Sequence, residues 1–476
     1  MPFNYVTVTA SSDLFTPATR AFGDILVIGK GTVGGRSSDP QSFSYPGEAV
    51  KAYPLGTTKL LAKAEADANT VTVEARFPVG TQVAIGSEES AEVRRITALN
   101  APADEKADEK ADEKADGKAD EKADGKADGK ADGKADGKAD EKVVWTLNAK
   151  LKTAHEVNEP VVGLSLSDLA AAIATAFRQT PPPTRIWGIE VNSGNPVWSN
   201  AFTQAKDVPA QIVVLANTPL SDDPDTEHPV ELLAQHVVEV SNTGGDGNER
   251  IGVAMLDPTL SQSEQVALNK GAIHDNRMVL VAAHSSVKGD VAAAVAGVIA
   301  GREPHVSLLL KPVSIEMPEL FTATQIEKYY EHSINWVTSP VMLPGHGLYL
   351  GEGLTASPSG NKKYIDIVRT LDDISFRVKA ALIEAVGDLR IDRPGLRTVV
   401  TLVQSVLSPL VTRGVIEDYA IHIPLLVLLE RERATLNAAE LKQIGTGRSG
   451  RSVDMEVSVV YAGVIHQIAV KLVLKG

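Results

Sequence analysis

The chain has no cysteine among its 476 residues, which excludes disulfides, thiolate nucleophiles and cysteine-ligated metals. It is short of basic charge: 47 Lys and Arg stand against 61 Asp and Glu, a formal net charge of −14. A strongly acidic chain is repelled by phosphate backbones, so no direct nucleic-acid partner is expected. No apolar run approaches the length of a membrane span, since the alanine-rich stretch 291–300 stops at Gly301; no membrane insertion is expected. The first residues, Met-Pro-Phe-Asn-Tyr-Val-Thr-Val-Thr, carry neither a basic nor an apolar leader region, so no secretory signal is expected there. Catalytic spacings are missing as well. Neither HExxH nor GxSxG occurs, and the ten histidines are scattered. No catalytic residue, metal or cofactor is therefore assigned, and the chain reads as a non-enzyme.

What is present is a protein of ordinary globular composition, 43% hydrophobic and 23% charged, long enough for two to four domains. Residues 103–142 are ten back-to-back tetrapeptides, five Ala-Asp-Glu-Lys and five Ala-Asp-Gly-Lys. A period of four places each charge at i,i+4 from its own kind, which weakens a helix. Each of the five glycines costs roughly 1 kcal/mol more. The repeat has no large apolar side chain to offset the ordering entropy. Asp beside Gly suggests calcium loops, but Lys adjoins every candidate ligand and no stacking ladder exists. The segment reads as a solvated spacer at the tip of an overgrown hairpin joining strands near 91–99 and 143–148.

The pattern on either side sorts the chain into regions. Residues 1–23 contain a detached strand at 4–10 with Val6 and Val8 on one face. Residues 57–163 read as a small all-β unit, with strands near 60–62, 70–76, 82–85, 91–99, 143–148 and 161–162. From 164 to about 310, helices alternate with apolar strands at 185–191, 211–216, 250–255 and 277–283, the pattern of an α/β layered core with a largely parallel sheet. Ser165 is the expected N-cap of a helix over 166–178, with Leu166, Leu169, Ile173 and Phe177 on its apolar face. The part from 318 reads as α+β, with helices over 364–387 and from Pro394 to Gly414, a strand at 419–425 and a helix at 437–444. Gly445, Gly447 and Gly450 then mark a flexible hinge. Two alternating strands follow, 453–461 with Val457, Val459 and Tyr461, and 465–474 with Ile468, Val470 and Leu472, meeting at a turn near Ala462-Gly463. The expected division is thus an arm at 1–23, a discontinuous α/β domain at 24–56 and 164–317, an inserted β domain at 57–163, and a domain at 318–476 ending in a hairpin arm.

Two motifs carry bland and sharp readings side by side. Gly29-Lys-Gly-Thr-Val-Gly34 has GxGxxG spacing after a strand, but the residues that follow, Gly35 to Pro40, do not open a helix, so a glycine-rich turn is favoured over a nucleotide site. Arg369 with Asp372 and Asp373 suggests acid–base work, yet Arg369 and Asp373 are i,i+4 neighbours and read as a surface ion pair.

Three stretches carry a family likeness: Tyr364-Ile-Asp-Ile-Val-Arg-Thr-Leu-Asp-Asp373, Arg390-Ile-Asp-Arg-Pro-Gly-Leu396 and Val457-Ser-Val-Val-Tyr-Ala-Gly-Val-Ile-His466. Together they resemble the contractile tail sheath proteins of phages, archaeal tailed viruses and related injection systems. The resemblance spans 320–476 and extends more weakly to 19–29 and 179–187, which in that family share one domain. The family often carries Trp-Gly-x-Arg-Thr where this chain has Leu350-Gly-Glu-Gly-Leu-Thr355. The resemblance implies a structural subunit, a homo-oligomer of six-membered rings stacked into a helical sheath around a tail tube protein. Its other implied partners are baseplate and tail terminator proteins. Its place is the virion tail or an injection particle, with synthesis in the host cytoplasm. The terminal strands would add to neighbouring subunits' sheets, and the three glycines would bend. Two readings from other classes stand beside it, a nucleotide-binding α/β enzyme using Gly29–Gly34 and a surface adhesion module with the repeat as spacer.

A spacer makes no contribution to the core. Excising 103–142 is expected to leave assembly normal in electron micrographs; loss of assembly or of a cooperative unfolding transition would show that the repeat is structural.

Overall fold

The computed structural model describes residues 23–32, 39–75, 77, 79–87, 91–100, 143–192, 196–221, 227–242, 248–343, 347–357, 363–463 and 466. The strand expected at 4–10 with Val6 and Val8, the tetrapeptide repeat, and Ile468, Val470 and Leu472 lie outside these residues. The fold is mixed α/β with several sheets. The chain forms two compact units, one built on Pro54–Leu166 and the other on the residues flanking it in sequence.

The flanking unit begins with β1 (Ile25–Lys30), β2 (Gln41–Phe43) and α1 (Pro46–Ala52). Pro46 sits at the start of α1, where its missing N–H has no helical partner to lose. This unit breaks off at Tyr53 and resumes at Ser167, and the Ser167 hydroxyl donates to the Tyr53 carbonyl at 2.7 Å.

The intervening unit is antiparallel throughout: β3 (Thr57–Lys59), β4 (Thr70–Val73), β5 (Gln82–Ile85), β6 (Glu92–Asn100), β7 (Val143–Leu147) and β8 (Pro160–Gly163), in the order β3-β8-β5-β6-β7-β4. Leu60, which follows β3, bridges to Val73 of β4, so the two outer strands meet and the sheet closes on itself. Closure removes exposed edges. Period-two alternation turns Val71, Val73, Val83, Ile85, Trp145 and Val161 inward around Phe77. The expected strand at 60–62 is corrected to Thr57–Lys59, with Leu60 contributing only the bridge. As expected, β6 and β7 pair, and Asn100 stands opposite Val144 at the end of their ladder.

Beyond Ser167 come α2 (Asp168–Phe177), β9 (Ile186–Val191), α3 (Trp198–Ala205), β10 (Ile212–Leu215), α4 (Pro229–Asn242), β11 (Ile251–Met255), α5 (Gln262–Ala267), β12 (Met278–Val281) and α6 (Val291–Ala300). The strands form one sheet in the order β12-β11-β10-β1-β9-β2, parallel except for β2 at the edge. Ile25 and Val27 of β1 belong to the core shared with α2 and α6, whereas Leu26 and Ile28 belong to the core shared with α3 and α4. A strand covered on both faces has no polar side to spare, which is why β1, β10 and β12 are almost wholly apolar. The α2 cap is a correction. Ser167, not Ser165, accepts the Ala170 N–H, and Leu166 is exposed outside the helix. Asp168 in the first turn complements the helix dipole, which favours the later start.

The remainder comprises α7 (Ala323–Glu331), β13 (Val337–Thr338), β14 (Tyr349–Leu350), α8 (Ile365–Ile383), α9 (Arg393–Thr412), β15 (Ile416–His422), α10 (Pro424–Glu430), α11 (Ala438–Gly450) and β16 (Glu456–Tyr461). The expected strand at 419–425 begins earlier and stops at His422, because Pro424 opens α10. Among the described helices, α9 alone is long and apolar enough to cross a membrane by length and composition. Its stripe of Leu396, Val403, Val406, Leu407 and Leu410 is buried in the protein core, and Thr398, Thr401, Gln404, Ser405 and Ser408 face outward. The pattern is that of an amphipathic core helix. The proposed surface pair of Arg369 and Asp373 is also corrected. Arg369 is buried and donates to the Arg302 carbonyl at 3.0 Å. Asp373 takes Arg377 at 2.8 Å, and Asp372 takes both guanidinium nitrogens of Arg277.

One buried knot ties the second helical layer together. Arg250, 1% exposed, donates to the carbonyls of Ala205, the last residue of α3, and Val208 beyond it, and to Nε2 of His236 in α4, at 2.9, 3.1 and 3.2 Å. Nε2 must then be an acceptor, so His236 is neutral with its hydrogen on Nδ1. Burial first, and then the Arg250 and Lys206 charges, push the His236 pKa down to about 3. The unfolded chain takes up a proton near pH 6.5 that the folded chain refuses. Stability is therefore complete above that pH and falls as pH drops from 6.5 toward 3, by on the order of 3–5 kcal/mol at the lower end. His236→Gln, which keeps an acceptor but cannot titrate, is expected to flatten this slope in denaturant titrations. Identical pH profiles for the two proteins would contradict the assignment.

Candidate functional site

An open parallel sheet binds ligands beyond the strand C-termini where the strand order reverses. That point is β1, which lies between β9 and β10. Gly29 is inside β1, and a Cβ there would collide with Ala216. A Cβ on Gly31 would collide with the Glu190 carboxylate. The next described element is the strand β2, where a dinucleotide fingerprint requires a helix. Nearby, Asp290 caps α6 and accepts the Asn217 and Ala293 N–H groups at 2.7 and 2.9 Å. Burial pushes its carboxyl up to about 6. The Asn217 amide also donates to Asp168 at 3.1 Å, and burial raises that carboxyl too. A pyrophosphate would meet carboxylates here, and the N-terminus of α6 is already occupied by its own cap. The nucleotide reading of Gly29–Gly34 is not supported.

A second cluster has the residue types of a hydrolase without its wiring. His284 Nδ1 lies 2.9 Å from the Ser286 hydroxyl, with Glu319 3.8 Å from Nε2. Nδ1 also accepts the Ser286 backbone N–H at 3.1 Å, and the Ser286 hydroxyl accepts the Glu319 N–H at 3.2 Å. These bonds fold a loop. Among the described residues, no group of three or more His, Asp or Glu side chains is placed to hold a metal ion.

The terminal strand gives a clearer picture. β16 pairs antiparallel with β15, Val457 opposite Ile421, Val459 opposite Tyr419 and Tyr461 opposite Ile416, with an irregularity between Ile416 and Asp418. Val457, Val459, Tyr419 and Ile421 turn toward Ile374 of α8 and Val403 and Leu407 of α9. Glu456, Ser458 and Val460 face outward. Among the described residues the ladder has only these two strands, so each has a bare outer edge. A two-stranded ribbon is marginal by itself, and this one is held by the helices beneath it. Among the described residues, 453–461 pairs with β15, a non-local pairing that buries an apolar face on α8 and α9; the second strand of the expected hairpin, 465–474, lies outside the described residues apart from His466.

The glycines expected to form a coil are helical. α11 runs through Gly445 and Gly447 to Gly450. Three glycines cost such a helix roughly 3 kcal/mol relative to alanine. A capping box of Asn437 and Glu440 offsets part of this, with Arg431 on Glu440 at 2.6 Å. Gly447 lies against Leu425, and Arg448 donates to the Ile391 carbonyl at 3.1 Å. The helix stops at Arg451, which takes the left-handed conformation at φ 52°.

At the last residue of the ladder and again beyond it the chain is fastened. The Tyr461 hydroxyl donates to Asp366 in the first turn of α8 at 2.8 Å. Burial, reinforced by the Asp366 charge, raises the Tyr461 pKa. His466 sets Nε2 3.0 Å from the Ser307 hydroxyl and Nδ1 3.1 Å from Glu352, with its ring edge-on to Tyr364 at 4.7 Å. Of the strand residues picked from sequence, Val457, Val459 and Tyr461 share this site. Asp366, Ser307, Glu352 and His466 were not picked. Their one sequence signal is a polar residue set in an apolar run, Asp366 between Ile365 and Ile367, and His466 after Gly463-Val-Ile.

No protein-family model matches the chain, and neither does any curated protein. Similar solved structures include the PVC sheath complex of an extracellular contractile injection system in its contracted state, at 15% identity and TM-score 0.47 over 63% of this chain and 80% of that one. The 6-fold symmetrised baseplate of the anti-feeding prophage is similar at 15% identity and TM-score 0.46, over 64% and 80%. The sheath tail protein Lin1278 from Listeria innocua is similar at 12% identity and TM-score 0.43, over 92% and 95%.

Proposed function

We propose that this chain is the structural subunit of a contractile tail sheath, with no catalytic role. The observation that carries the reading is the β15–β16 ribbon: its apolar face is spent on its own helices, both outer edges are bare among the described residues, and the alternating stretch Ile468, Val470, Leu472 follows it in sequence. A bare edge invites pairing with another chain unless it is protected. Strand addition gives backbone hydrogen bonds for strength and alternate side chains for register. Copies would link in this way into rings of six stacked around a tail tube protein, between a baseplate and a tail terminator, in a virion or injection particle made in the host cytoplasm. Each subunit then moves as a rigid body while its linkages persist, and a modest gain per copy, summed over the sheath, drives the tube through an envelope. Val6 and Val8 at the other end would supply a second added strand. α11, with its three glycines, is the segment of the ribbon connection least costly to deform.

Electron microscopy of the purified protein is expected to show rings, tubes or polysheaths. Removing 467–476 is expected to abolish them while leaving the unfolding free energy within about 0.5 kcal/mol of the full chain, as for surface changes. A particle that stays monomeric over all salt and protein concentrations, or normal tubes from the truncated chain, would defeat the proposal.

A further inference from the structure

The carboxylates that hold Tyr461 and His466 are buried, Asp366 at 5% and Glu352 at 8% exposure, and Ser307 is buried at 7%. A neutral His466 that gives its Nδ1 hydrogen to the Glu352 carboxylate leaves Nε2 to accept from the Ser307 hydroxyl. The Leu309 N–H donates to that hydroxyl oxygen at 3.3 Å and orients it toward His466. The Tyr364 ring closes the remaining side. Serine, histidine and carboxylate in this order would make a nucleophile in an open cleft. Here the serine and the acid are buried beneath the histidine, and the group works as a fastening.

We propose that Ser307, Glu352 and Tyr364 form a binding socket for the His466 of their own chain, occupied in the free protein and in the assembly alike. The inference rests on the sheath reading for its second half only. Its consequence is that an arm offered to a neighbour would start after His466 and not at Gly445–Gly450, since β16 is already tied down at Tyr461 and the next tie follows five residues later. Withdrawing either side chain would strand a buried carboxylate without its donor, which opposes release during assembly. The placement also decides where tension enters. A pull on 467 without the socket would peel β16 from β15 one pair at a time, beginning at Tyr461 and Ile416. With the socket closed, the pull passes to Ser307 and Glu352 before any ladder bond is loaded.

Because the chain has no native cysteine, the test is clean. Full-length protein carrying Leu309→Cys and Gly463→Cys keeps His466 and the socket side chains intact; Gly463 has open space for the new side chain. Treatment with a short bismaleimide is expected to give an intramolecularly cross-linked monomer on denaturing gels, from free protein and from tubes. Adding His466→Ala is expected to slow the cross-link at least about fivefold and to speed amide exchange in β16, at an unchanged overall unfolding midpoint. A ladder of cross-linked multimers from tubes would place the histidine in a neighbour's socket and overturn the proposal. An unchanged cross-linking rate with His466→Ala would overturn it as well. If no tubes form, the sheath reading fails, and the free-protein rates still decide the socket.

Discussion

The C-terminal region from α8 onward depends on one act of burial: the inner faces of β15 and β16 closing over Ile374, Val403 and Leu407. Neither partner is viable alone. α8 and α9 would leave an apolar stripe in water, and a two-stranded ribbon lacks the area to hold itself. Once they meet, the strand register is set, because a slip of one residue would turn Val457 and Val459 outward. The register in turn sets Tyr461 over Asp366, and Tyr461 brings the chain to where His466 reaches Ser307 and Glu352. The excursion through α10 and α11 is tethered at both ends by this pairing, which helps explain why its glycine-rich half stays helical.

The parallel core obeys a different logic. Its ligand-binding position is filled from within, by Asp290 on its own helix, by Asp168 and Asn217 beside it, and by Glu190 in the space left by Gly31. The fold keeps the frame of a doubly wound enzyme while its usual crevice holds acids and caps. Fold and function separate here, since function follows side chains in a site and not strand order.

Much of this was legible in the residues. The apolar runs at 185–191, 211–216, 250–255 and 277–283 could be little else but strands buried on both faces, and the alternation of Val71 and Val73 announced a sheet with one inner face. Local signals failed where tertiary burial outweighed them. Gly445, Gly447 and Gly450 read as coil by propensity but are held in a helix by Leu425 and a capping box. Ser165 and Ser167 are equivalent as caps until Asp168 is considered. The pairing of β16 with β15 crosses two intervening helices, a distance that no periodicity reports. The fastening residues escaped notice because lone polar side chains have no pattern; only the fold brings Ser307, Glu352 and His466 together.

The ladder of β6 and β7 ends with Asn100 opposite Val144, so the chain leaves and re-enters the sheet at neighbouring points on either side of the forty-residue repeat in the sequence. Joining two fixed points by a longer connection costs free energy that grows only with the logarithm of its length, about 0.6 kcal/mol for each doubling. The number of tetrapeptides is therefore almost invisible to folding. Unequal exchange within a gene of near-identical units could lengthen or shorten the segment from one lineage to the next, and stability would offer selection almost nothing to act on.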